Sequence, residues 1–315
     1  MNLQSKISDK KEFLHPMITI FVLLLILLGM LFHVPIVING AHTGLELWYE
    51  SVLPSILPFM IITSLLLQQV KGKGVCYLGL FCGLPVGANL VNQQLATEQI
   101  SLSSANTLLC ICNITSPMFI SGYILNQTFQ QQVPGWKFFL VIYLPLLLYW
   151  LLQLCKNRFG NQLKKNNTSS KNTFMEASKP ASITQTHHSD SGFTSKPFEA
   201  ILKHSLQVIL MVGVYIMLFC ILIQFLLHYL PSQALVPRLL TGTLEITNGI
   251  HLFMQLPISM QQKTALIAGL TSFGGICSIL QTKSVLTSNG LSIIHYTFVK
   301  LGMGGLSYLL ALFLL

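Results

Sequence analysis

Charge is what this sequence has least of. Only 9% of its 315 residues are Asp, Glu, Lys or Arg, against a usual share of roughly 25%. A water-facing surface so poor in charge would associate, which excludes a cytosolic enzyme, a nucleic-acid module and a disordered chain together. Catalytic signatures are missing too. There is no H-E-x-x-H, no nucleophile–base motif and no Walker A sequence, so no enzyme is expected and ATP is not bound by this chain. The seven cysteines lie in or beside apolar segments and lack the spacing of a disulfide framework. Cys110-x-Cys112 has no second ligand pair and reads as two buried thiols, so neither a metal nor a cofactor is expected.

What is present is apolar, at 52% of residues and a mean hydropathy of +0.65. A transmembrane helix needs roughly 20 apolar residues at about 1.5 Å rise each. The run 17–38 qualifies as a first, uncleaved helix behind Lys6, Lys10 and Lys11. Further spans are expected at 45–67, 105–125, 138–155, 200–229, 264–281 and 293–315, with shorter broken stretches at 75–91 and 239–256. Residues 93–104 are polar and suit the interface.

Residues 156–199 differ in kind, being rich in Ser, Thr, Asn and Lys without apolar periodicity, which predicts a loosely ordered linker. Seven basic residues face three acids here, a net of +4. The positive-inside rule therefore places this linker in the cytoplasm. His187-His188 lies in it and reads as a solvated pair. His33, His228, His251 and His295 fall near span ends, where interfacial roles are expected.

An offset of 156 residues lays the second half over the first by hydropathy. Segment 45–67 falls on 201–223, 114–117 on 270–273 and 138–155 on 294–311. With the N-terminus inside and 75–91 dipping in and returning, the basic linker lands inside and the second half starts from the opposite side. The expected fold is an all-α polytopic membrane protein, an inverted-repeat, transporter-like bundle of about seven spans plus two re-entrant hairpins. Its parts are an N-terminal helix (1–39), two membrane repeats (40–155 and 200–315) and the linker between them (156–199).

Four breaks interrupt the apolar segments, at 83–89, 113–117, 245–249 and 271–275. Backbone that leaves the helix at membrane depth survives only when buried in protein or lining a wet cavity. Glycine permits the turn, proline ends the hydrogen-bond ladder, and Asn, Thr and Ser supply neutral donors and acceptors. Half-helix N-termini can receive a carboxylate or phosphate. The expected solute-binding residues are Gly83, Pro85, Gly87, Asn89, Asn113, Thr115, Ser116, Thr247, Asn248, Ser272, Gly274 and Gly275. Glu245 is the sole acid after the linker. Intramembrane carboxylates mark ion or proton coupling, the alternative being a Glu at a hairpin mouth beside Arg238.

Read in order, these segments resemble the YlbJ-type sporulation integral membrane proteins of endospore-forming bacteria, which carry the nucleoside recognition or Gate domain. The likeness rests on Gly44-Leu45-Glu46-Leu47-Trp48, Leu53-Pro54-Ser55-Ile56-Leu57-Pro58-Phe59 and Gly83-Leu84-Pro85-Val86-Gly87-Ala88. It continues through Asn113-Ile114-Thr115-Ser116-Pro117, Leu244-Glu245-Ile246-Thr247-Asn248-Gly249 and Ser272-Phe273-Gly274-Gly275. It covers about residues 15–155 and 200–315. One departure is that the family tends to have Ser-Gly-Tyr-Pro where this chain has Cys82-Gly83-Leu84-Pro85. Residues 268–281 also look like the C-terminal hairpin region of concentrative nucleoside transporters.

The resemblance implies passage of a small anionic metabolite, in the best-understood members dipicolinate, across a membrane of the developing forespore. It places the chain in a bacterial cell membrane as a multi-pass protein. The partners expected are that anionic solute, the lipid bilayer and a coupling ion, proton or sodium; a homo-oligomer is compatible, and nucleic acid is not a partner. Two alternatives stand beside this reading. One is a non-transporting scaffold or partner subunit of a sporulation or envelope complex, the other a nucleoside-type solute transporter.

Overall fold

A computed structural model describes residues 3–69, 73–167, 195–230, 234–287 and 290–315. The described chain is all-helical. Helices α1 (Leu3–Phe32) and α2 (Val34–Leu47) are followed by a π-helical turn, Trp48–Val52, that leads directly into α3 (Leu53–Gln69). A 3-10 segment, Lys73–Leu78, precedes α4 (Gly79–Cys82) and α5 (Val86–Ala96), and then come α6 (Leu102–Cys112), α7 (Pro117–Phe119) and a π-helical stretch, Ile120–Thr128. The rest comprises α8 (Gly135–Asn167), α9 (Ser195–Tyr229), α10 (Leu235–Gly242), α11 (Ile246–Met254), α12 (Met260–Phe273), α13 (Gly275–Val285) and α14 (Ile293–Leu314).

Six helical segments of the described residues are long and apolar enough to cross a membrane, and Thr19–Phe32 is a shorter apolar helix beside them. The first boundary moves relative to the sequence reading. The apolar run 17–38 is divided at His33, and Val34–Leu66 forms one continuous segment of 33 residues. Pro35 is the reason: it occupies the first turn of α2, where its missing N–H breaks no ladder. The linker is also narrower than its composition suggests, because α8 runs on to Asn167 and α9 starts at Ser195. Its centre, with His187-His188, lies outside the described residues.

Two of the six segments form the heart of the molecule. In their most apolar stretch, Leu102–Thr128 is 78% buried inside the protein and Met260–Val285 is 72% buried, whereas the other four reach only 22–39%. Those two segments carry the second and fourth breaks. The other two breaks join helices of at most 11 residues, too short to cross.

The short pairs fold back on themselves. A Cβ added to Gly79 would stand 2.8 Å from the Cα of Gly87, eight positions away, whereas a straight helix would separate them by about 12 Å. A Cβ on Gly249 would stand 2.0 Å from the carbonyl oxygen of Gly242. Pairs α4–α5 and α10–α11 are therefore hairpins, while α6–α7 and α12–α13 are interrupted through-going helices.

Hydrogen bonds between helix ends sort the molecule into two faces. On one face Asn92 donates to Thr287 Oγ1 (2.9 Å), the Ser292 amide donates to Asn106 (2.9 Å) and Tyr149 pairs with His295 (3.3 Å). On the other, Tyr229 pairs with His33 (2.6 Å), Lys137 donates to the Leu314 carbonyl (3.2 Å) and Gln261 to that of Leu312 (2.8 Å). Helix α8 leaves the second face and α9 arrives there, so both ends of the linker belong to the first.

Close backbone approach holds the hairpins in place, and it makes a prediction. A Cβ at Gly87 would lie 2.1 Å from the Cys112 carbonyl oxygen, while nothing lies within 4 Å of one at Gly302. Gly87→Ala and Gly249→Ala should each destabilise by about 1–3 kcal/mol through overpacking. Gly302→Ala should be neutral or better. Apparent melting temperature in detergent measures all three.

Candidate functional site

The four breaks meet at the centre of the bundle and satisfy one another. At the second break the α6 helix ends at Cys112, and buried Asn113 spreads its amide across three elements. Its Oδ1 accepts from the Ala88 amide of the first hairpin at 3.2 Å. Its Nδ2 donates to Thr282 Oγ1 at 2.7 Å and to Tyr296 Oη at 2.9 Å, and the Tyr296 hydroxyl returns a bond to the Asn113 carbonyl at 3.2 Å. Two residues on, Thr115 donates to the Thr271 carbonyl at 2.7 Å, which ties the second break to the fourth. Ser116 caps α7 by accepting from the Phe119 amide.

The third break is organised by Glu245. The residue is 1% exposed, which rules out a place at a watery hairpin mouth. Its carboxylate accepts from the Thr247 amide at 3.0 Å, from the Asn248 amide at 2.8 Å and from the Thr247 hydroxyl. It thus caps the N-terminus of α11, where the helix dipole favours an acidic side chain. The amides at the start of α13 are also engaged, Ile276 donating to the Thr243 carbonyl at 3.0 Å and Cys277 to that of Leu244 at 2.8 Å. The half-helix N-termini that sequence reasoning left open to an anion are therefore capped by the protein itself in this structure.

Beside the breaks lies a cavity of about 60 Å³, lined by Thr115, Ser116, Glu245, Thr247, Gly274, Ser278 and Gln281 against Leu84, Phe119 and Ile216. A few waters fill such a volume, and it is well below the several hundred Å³ typical of a small-molecule pocket, on the order of 300 Å³ or more. Towards the linker face it adjoins a two-lobed vestibule, with lobes of about 200 and 190 Å³. Both lobes are lined by Pro85, Asn89, His204, Val208 and Val285. Val212 and Gln281 line both the cavity and the first lobe. On the opposite side Phe119 and Tyr123 close the route, with ring centroids 5.1 Å apart and the Tyr123 hydroxyl on the Thr247 carbonyl at 3.1 Å.

The expected site residues divide into three groups. Thr115, Ser116, Glu245, Thr247 and Gly274 line the cavity, while Pro85 and Asn89 line the vestibule. Gly83, Gly87, Asn113, Asn248, Ser272 and Gly275 stand behind the cavity wall. Among these Ser272 pairs with Ser307 at 2.6 Å, and Asn248 donates to the Cys220 sulfur at 3.3 Å. Gly83, Gly274 and Gly275 adopt positive φ, which only glycine takes without strain. Sequence reasoning missed His204, Gln207, Ser278, Gln281 and Ser284. Their signal was helical spacing: Ser278 and Gln281, like His204 and Gln207, stand three apart on one helix face.

Of the described cysteines, all are free thiols and Cys155 alone is exposed. No group of three or more His, Cys, Asp or Glu among the described residues is placed to hold a metal ion.

The chain is similar to the sporulation integral membrane protein YlbJ of Bacillus subtilis (strain 168), at 26% identity over 309 residues that cover 84% of this chain and 74% of that protein. This similarity supports a YlbJ-type family assignment. Together with the apolar helices it identifies an integral membrane protein. No family model and no solved structure matches the chain.

Asn113, in the second break, ties the first break to α13 and α14. Asn113→Leu should destabilise by about 2–4 kcal/mol, because the Ala88 amide and the Tyr296 and Thr282 hydroxyls lose a buried partner. Thermal unfolding in detergent reads the loss. Ser121→Ala, at a half-buried bond to its own helix, should change little.

Proposed function

We propose that the protein is a membrane permease for a small solute, with the vestibule as its entry and the cavity at Glu245 as its coupling site. The observation that carries this reading is the continuity of the two. A path lined mainly by apolar side chains, with Asn89, Gln207, Gln281 and Ser284 placed along it, runs from the linker face between α5, α9 and α13 and stops at a buried carboxylate, behind which Phe119 and Tyr123 pack. A packing role alone requires no such path.

The reading includes two inverted repeats. Thr115 and Thr271, which bond across the centre, are 156 residues apart. Leu140, Leu144 and Leu147 flank the first hairpin, and Thr297, Leu301 and Gly304 flank the second, each 157 residues later. Contact between equivalent residues is expected near a pseudo-two-fold axis. By the charge of the linker, the vestibule opens to the cytoplasm. The transport cycle then exchanges this form, open to the linker face, for one open to the other.

The vestibule is lined by neutral amides and hydroxyls (Asn89, Gln93, Gln207, Gln281 and Ser284) with His204 at its mouth. Such groups orient a small planar solute bearing carboxylates, and the family resemblance makes dipicolinate the first candidate, in a membrane of the developing forespore. An anion that advances to the cavity meets the carboxylate of Glu245. Protonation removes that repulsion, so proton-coupled entry is the coupling this arrangement supports best. Bound protons also weaken the cap on α11, which links the charge of Glu245 to the position of the second hairpin.

Flux of dipicolinate into proteoliposomes containing the full chain tests this. The wild type should show saturable, pH-dependent flux, and Glu245→Gln should flatten the pH dependence while the protein stays folded. Absence of flux for dipicolinate and for nucleosides, from either face, would contradict the permease reading.

A further inference from the structure

Among the described residues two charged side chains are almost wholly buried, Glu245 at 1% exposure and Lys300 at 0%. Glu245 has three donors, but Lys300 Nζ has no hydrogen-bond partner at all. The ion pair of His42 with Glu46 lies at the surface, and no carboxylate is bonded to Lys300 Nζ. An unpartnered ammonium inside a membrane span is costly and is retained where a charge must be gained, lost or moved.

The surroundings of Lys300 show what it acts on. It lies in α14 between α6 and α8. Its Nζ stands 6.0 Å from the ring centroid of Tyr296, one turn earlier in the same helix. From α6 the thiol of Cys110 lies near it, and from α8 Tyr149 lies near that thiol and pairs with His295. From α13 the neutral Thr282 meets the same Asn113 amide as Tyr296 does. Tyr296 thus stands one turn from Lys300 in α14 and bonds Asn113 through its hydroxyl, and Asn113 holds the Ala88 amide of the first hairpin. Pro85 and Asn89 of that hairpin line the vestibule.

We propose that Lys300 is a second intramembrane proton-binding residue, acting through Tyr296 and Asn113 on the docking of the α4–α5 hairpin and so on the width of the vestibule. Its Nζ takes a proton from water and later returns it. The amine is sealed in this structure, and loosening of the hairpin from Asn113 is the opening that the proposal assigns to its exchange with water. Proton occupancy and hairpin position are then reciprocally linked. The proposal rests on the vestibule being a solute path, but its test needs no solute, so it can fail while the permease reading stands, and the reverse.

The test uses the full chain in detergent, with Cys155→Ser to remove the exposed thiol and Asn89→Cys as a reporter in the vestibule. The rate of modification by a water-soluble maleimide is measured against pH and normalised to the unfolded protein at each pH. The Lys300-containing protein should show a pH-dependent rate beyond that normalisation. Lys300→Met should lose the dependence, and Tyr296→Phe should lose it with Lys300 still present. A flat profile with Lys300 present, or an unchanged dependence in Lys300→Met, would overturn the proposal. Retention in Tyr296→Phe would equally overturn it, and that variant decides the matter if Lys300→Met does not fold.

Discussion

Every structural choice in this protein follows from one constraint: backbone that leaves the helix at membrane depth must find its partners inside the protein. Four breaks lie there, and each is satisfied by another break or by a side chain next to it. Carbonyls of Thr243 and Leu244 accept from the start of α13, Thr115 donates to the Thr271 carbonyl, and Asn113 accepts from Ala88. No single hairpin is self-sufficient. This mutual capping fixes where the glycines must be, since the backbones have to approach closely, and it explains why the two interrupted helices occupy the centre. It also confines the remaining polar side chains to a small cavity and the vestibule that adjoins it.

Much of this was written in the sequence, for identifiable reasons. Glycine or proline beside Asn, Thr or Ser marks all four breaks, because those residues end a helix and supply the replacement bonds. Hydropathy located most of the spans, though not the division at His33, which needs the position of Pro35 within a turn to be known. Periodicity could not separate hairpins from interrupted helices; that difference lies in approaches such as Gly79 to Gly87, between residues far apart along a straight helix. Glu245 stood out as a lone acid, but its capping role depends on a backbone that only the fold supplies. Lys300 is the lone charge in the last apolar run, a signal of the same kind as Glu245 that sequence reasoning passed over. Its importance comes from the absence of any partner for it once α6, α8 and α14 have packed.

The electrostatic picture is spare. One buried carboxylate faces the solute path and one buried amine stands behind the first hairpin, on opposite sides of the hydrogen-bonded centre. The net charge of the linker bears on orientation rather than on chemistry. In the permease proposed above, an incoming anion is treated in two stages: the vestibule accepts and orients it, and the charge state of Glu245 decides whether it advances. Each hairpin is held by a handful of bonds of its own, the first through Asn113 and the second through Tyr123, Cys220 and the amides of Ile276 and Cys277.

The central claim is that the cavity is reached from one face at a time. A cysteine at position 281, in the Cys155→Ser background, reports on this directly when the protein is oriented in proteoliposomes and a membrane-impermeant thiol reagent is added to one face or the other. The permease reading predicts modification from the linker face, and modification from the opposite face only when a transported solute is present. Equal modification from both faces without solute, or none from either face with it, would contradict the account.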